Sequence, residues 1–160
     1  MAELADSVAV ATVQNLKGGF KMTNKRCLAA IAAVFGILVV TCFLIHGLML
    51  KEAYQTTASL WRPMDDMKSF MWMWWVLYLV NAFILPYFYS KGYESGKSPL
   101  GQGLRFGLAV GLLLSTGMSL GTYLMIAMPA SMALIWFITG MIQYTIIGIV
   151  IALIHQPKAA

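Results

Sequence analysis

The sequence predicts an all-α, polytopic membrane protein: four transmembrane helices in an antiparallel bundle, with both termini in the cytoplasm. Three observations carry this expectation. Of 160 residues, 60% are hydrophobic and 11% charged, whereas a soluble domain wets its surface with about 25% charged residues. Four apolar runs each reach the roughly 20 residues a helix needs to cross a hydrocarbon core. Lysine and arginine alternate in density between successive connections, the pattern that sets membrane orientation. The net charge of +5 is read as that topology signal. No basic run with interleaved aromatics marks a nucleic-acid partner.

Residues 1–22 are assigned to a cytoplasmic N-terminal segment, which an in-plane interfacial helix and an unordered terminus explain equally well. Residues 23–157 form a single four-helix transmembrane domain. The first span covers about 27–50; it starts after Arg26, lacks a cleavage site behind it and reads as a retained anchor. Cys27 and Cys42 fall within it without metal-ligand spacing, so free thiols are expected. The second span covers about 69–89, opening on M-W-M-W-W and closing on P-Y-F-Y, with aromatic rings at headgroup level. The third covers about 104–128 and the fourth 130–155. The last two are joined so tightly that they must form an antiparallel hairpin, with Pro129 placed at a first helical position. Lys17, Lys21, Lys25, Arg26, Lys91, Lys97, Arg105 and Lys158 fall on one side. On the other, Lys51, Arg62 and Lys68 are balanced by Glu52, Asp65 and Asp66.

The connection T-T-A-S-L-W-R-P-M-D-D-M at 56–67 is the most polar stretch between the first two spans. Pro63 is expected at the first helical position, with Asp65 and Asp66 in the first turn, where carboxylates favour the positive end of the helix dipole. Trp61 and Arg62 read as a headgroup anchor. The stretch from Tyr54 to Leu60 is longer than a hairpin needs, so this elbow is the place to look for a partner or ligand.

Catalytic patterns fail throughout: no nucleophile elbow, phosphate loop or zinc motif occurs. No metal site is expected, and the Met-rich set Met64, Met67, Met71 and Met73 reads as apolar lining rather than a copper mouth. His46 and His155 differ in depth by roughly 25 Å at the helical rise, so they cannot share one iron or zinc. His46 is a candidate ligand for a haem or pigment held with a partner chain, against the plainer reading of a hydrogen-bonded helix-end histidine. No cofactor is otherwise expected. No carboxylate lies inside a span, which argues against a proton-coupled carrier. The deep polar groups Asn81 and Gln143 are expected to bond across helix interfaces. Gly103, Gly107, Gly111 and Ser115 recur every four residues, and Gly117 and Gly121 repeat the spacing. Small residues so placed let two backbones approach closely, and the groove receives another helix of this chain or a partner.

The segments T-A-S-L-W-R-P at 57–63, K-G-Y-E-S-G-K at 91–97, G-L-R-F-G at 103–107 and T-Y-L-M-I-A-M-P-A-S at 122–131 resemble those of small four-helix bacterial inner-membrane proteins with no established activity. The resemblance implies a bacterial cytoplasmic-membrane location and transfers no catalytic residue. The expected function is that of a non-enzymatic accessory or structural subunit. Its partners would be the lipid bilayer and other membrane protein subunits. A small oligomeric transporter or channel lined by Asn81, Gln143 and Ser115 is the alternative, and a cofactor-binding subunit using His46 the second.

Overall fold

The computed structural model describes residues 24–155; residues 1–23 and 156–160, including the expected N-terminal segment and Lys17, Lys21 and Lys158, lie outside them. Among the described residues there is no strand. Helix α1 (Asn24–Cys42) runs on into a π-helical stretch, Phe43–Met49, which Leu50 closes by donating its N–H to the Ile45 carbonyl at 2.9 Å. A π turn adds a residue to the α repeat. The hydroxyl of Thr41 bonds back to the Ile37 carbonyl at 2.6 Å just before the transition, a local bond that competes with regular helix geometry.

The elbow is itself helical. Helix α2 (Lys51–Thr56) and a 3-10 turn (Ala58–Leu60) lead to Pro63, which has extended ψ (144°) and precedes α3 (Met64–Lys91). Pro63 therefore stands one residue before the first helical position, and its carbonyl accepts the Met67 N–H at 3.0 Å. Pro129 likewise stands just outside its helix, accepting from Met132 at 3.0 Å. Asp65 and Asp66 do occupy the first turn of α3. Helix α4 (Pro99–Ser115) starts five residues earlier than the apolar run predicts. Ser98 accepts from the Gly101 N–H and Pro99 fills the first turn, so capping chemistry sets the start where hydropathy does not. A second π turn (Thr116–Leu120) and a short α5 (Gly121–Met125) complete that rod, and α6 (Ala130–His155) follows.

Four stretches are long and apolar enough to cross a membrane: Lys25–Met49, Met64–Lys91, Pro99–Met125 and Ala130–His155. Helix α6 touches α1, α3 and α4, and its contact with α4 is much the most extensive. One buried cluster joins Val34 and Leu38 of α1, Ala82, Leu85 and Tyr89 of α3, and Ile147 and Ile151 of α6. A second, at the elbow end, joins Ile45, Leu50, Met128, Met132 and Ala133. The opposite end carries Lys25, Lys91, Lys97 and Arg105 and is called the basic end below.

Candidate functional site

The elbow closes over a nest of rings. His46, turned by the π stretch, places Nδ1 2.7 Å from the Tyr54 hydroxyl of α2. Its ring meets that of Trp136 edge to face at 5.8 Å. Tyr54 packs edge to face on Trp61 at 5.4 Å, and Trp61 lies 5.9 Å from Trp136. These separations are those of mutually packed aromatic pairs, so the rings fill the site themselves. Trp61 is thereby a member of this nest. Its indole N–H donates to Thr57 Oγ1 at 2.9 Å, and Thr57 donates to the Ala53 carbonyl at 2.6 Å. Arg62 points the other way, its guanidinium 4.8 Å from the Phe70 ring centre. Asp65 pairs with Lys68 at 2.8 Å in solvent.

Burial pushes the Tyr54 hydroxyl up to about 12, opposed by the Trp136 N–H and reinforced by Cys42. The Trp136 Nε1 atom is buried and makes no hydrogen bond. Tyr54 thus stays a neutral phenol at any physiological pH, available to donate to His46 or accept from it. The pair can orient an imidazole or pass a proton between two atoms. Among the described residues no three His, Cys, Asp or Glu side chains cluster as metal ligands do, and Cys27 and Cys42 are free thiols.

The small-residue face of α4 is occupied by α6 of the same chain. A methyl group on Gly103 would stand 2.7 Å from both the Ala152 Cβ and the Gly148 carbonyl oxygen. On Gly107 it would stand 2.6 Å from the Thr145 Cα. Gly111 faces Met141, Ser115 faces Gly140, and Gly148 presses on the backbones of Gly103 and Gly107. The row continues to Ser119, 1% exposed, whose hydroxyl donates to the Ala133 carbonyl at 2.5 Å. The spacing alone identifies Ser119, four residues past Ser115. Gly117 and Gly121 do not share this contact: a methyl on either would meet nothing within 4 Å. They are two residues out of step with the row and so lie on another face of the rod.

Gln143 donates to Thr41 Oγ1 at 2.7 Å, linking α6 to α1. Asn81 does not bond across an interface as expected; its amide donates to the Leu77 carbonyl of its own helix at 2.8 Å. It is part-exposed, and an intrahelical acceptor satisfies it without any neighbour.

At the basic end the connection after α3 is latched by Gln102, which the sequence reading passed over. Its Oε1 accepts the Glu94 N–H at 2.8 Å, and its Nε2 donates to the carbonyls of Glu94 (3.0 Å) and Lys97 (3.2 Å). Glu94 also pairs with Arg105 at 2.5 Å and with Lys97. Lys97 and Arg105 hold its exposed carboxyl below the usual carboxylate range. Tyr89 stacks edge to face on Phe106 at 5.4 Å and on His155 at 5.3 Å, and Tyr93 meets His155 at 5.0 Å. His46 and His155 thus sit in separate aromatic nests at opposite ends. No family model, curated protein or solved structure matches the chain.

Proposed function

We propose that this chain is a non-catalytic accessory subunit of a larger membrane complex in the bacterial cytoplasmic membrane. Its four spans would form an antiparallel bundle with both termini in the cytoplasm. The carrying observation is the surface of α3. Its buried residues, Ala82, Leu85, Pro86 and Tyr89, all lie toward the basic end. From Met64 to Val80 it buries none, although this half carries Trp72, Trp74 and Trp75, each at least 45% exposed. Wide, rigid aromatic rings are the side chains that anchor protein interfaces. The glycine face open to a partner helix on sequence grounds is taken by α6. The groups proposed to line a passage are also engaged: Gln143 bonds to Thr41, Ser115 packs on Gly140, and Asn81 bonds within α3. His46, held by Tyr54 and Trp136, is placed for packing more than for ligation.

The orientation rests on Lys25, Arg26, Lys91, Lys97 and Arg105 at one end, against acid-balanced cations at the other. Gentle solubilisation of the native membrane followed by sizing tests the subunit reading. Migration with other proteins well above 17.6 kDa is expected; a free monomer or homodimer would end it. Substituting Trp72 and Trp74 by leucine should release the chain from that assembly without unfolding it. Reporter fusions at either terminus test the orientation and should read cytoplasmic.

A further inference from the structure

We propose that the groove between α1 and α3 at the basic end binds one anionic glycerophospholipid, its acyl chain in the groove and its phosphate at Lys91 and Lys25. The groove holds about 410 Å³, within the range of ligand-binding clefts. Its composition changes along its length. Ile31, Phe83 and Ile84 make an apolar floor toward the middle of the span, while Cys27, Tyr87 and Ser90 line the end nearest the helix termini. From Phe83 to Ser90 the helix rises about 10 Å, enough for half an acyl chain.

Charge sits at the polar end only. Lys91 holds its ammonium 5.2 Å from the centre of the Tyr87 ring that lines the groove, and exposed Lys25 lies two residues before Cys27. The nearby carboxylate, Glu94, is already paired with Lys97 and Arg105. Among the described residues neither Lys25 nor Lys91 has an acidic partner. A zwitterionic lipid would leave this charge uncompensated. A second copy packed here about a twofold axis would bring lysine against lysine, which disfavours self-association at this face. An acyl chain with an anionic headgroup matches both the apolar floor and the cationic rim. The site depends on the membrane-spanning helices and not on the accessory role.

The test uses the full chain, stripped of lipid in detergent, then offered phosphatidylglycerol or phosphatidylcholine with identical acyl chains. Native mass spectrometry counts retained lipid, and alkylation of Cys27 in a Cys42→Ser background reports groove occupancy. Phosphatidylglycerol should be retained preferentially, one per chain, and should slow Cys27 alkylation. Neutralising a juxtamembrane lysine weakens anionic-lipid binding about fivefold, so Lys25→Gln with Lys91→Gln should lower phosphatidylglycerol retention by about 25-fold and leave phosphatidylcholine unchanged. Ile84→Trp, which fills the floor at an exposed position, should lower retention of both lipids while helicity is kept. Equal retention of the two lipids, indifference to the double lysine change, or Cys27 protection that follows dimer or foreign-protein capture instead of lipid would each overturn the proposal.

Discussion

The contact between α4 and α6 and the contacts of α3 are made of opposite materials. In the first, glycines on both helices bring backbone to backbone, so that even a methyl group has no room at Gly103, Gly107 or Gly148. In the second, large rings and branched chains meet, at Tyr89, Phe106 and Leu85 near one end and at Trp75 on Phe35 further along, and α3 buries no residue from Met64 to Val80. Lipid is as apolar as leucine, so burying leucine against leucine in a membrane gains little. Close approach of many atoms is what holds helices together there. The first contact is therefore a fixed hinge post of the molecule, and α3 is the element with surface left over for something else.

The sharpest way to break this contrast is to add one methyl group inside the seam and one outside it. Gly107→Ala overpacks backbone against backbone and should lower stability by about 1–3 kcal/mol, read from unfolding in mixed detergent. Gly117→Ala meets open space and should be neutral or gain up to about 1 kcal/mol from helix propensity. Equal effects would mean that the α4–α6 seam is not the tight element. Next in size, Tyr54→Phe removes the His46 partner and should cost about 0.5–1.5 kcal/mol, with a change in Trp61 and Trp136 fluorescence. Gln143→Leu loses the bond to Thr41 and should cost about 0.6 kcal/mol, the average for such bonds in membranes. Asn81→Leu breaks no bond between helices and should be neutral; a loss equal to that of Gln143→Leu would show α3 bonded to a neighbour after all.

The smallest effect concerns pH. The Glu94 carboxyl is held lower in the folded protein than in the unfolded chain, first by Lys97 and then by Arg105. Its contribution is present above the ordinary carboxylate value and is lost as pH falls through the lowered one. Protection of the Glu94 amide, measured against its intrinsic exchange rate at each pH, should fall only under acid conditions, and Gln102→Ala should produce the same loss of protection at neutral pH. Unchanged protection in Gln102→Ala would show that the latch does not order this connection.

Apolar run length places the four spans because it depends on composition alone, and the row Gly103–Gly107–Gly111–Ser115 is legible because its period is. What escapes is whatever depends on a change of period. The π turns at Phe43–Met49 and Thr116–Leu120 leave no mark that hydropathy can detect. Gly117 and Gly121 repeat the right spacing from the wrong starting residue, so pattern counting admits them and geometry does not. Tyr54 and Trp136 stand 82 residues apart in the chain, and no local rule pairs them. The latch was within reach: a Ser-Pro cap at 98–99 sets Gln102 one turn into a helix, facing the connection that precedes it.

The π turn in the third span has a geometric consequence. In an α-helix a four-residue step overshoots a full turn by about 40°, so a row of such steps winds around the rod like a screw thread. A straight partner can follow that thread for only a few turns before the two part. The wider π turn holds more than four residues per revolution and winds the thread back. Ser119, one step past Ser115, faces Ala133. The turn acts as a leap day does in a calendar: one irregular interval keeps two unequal periods aligned across the full thickness of the bilayer.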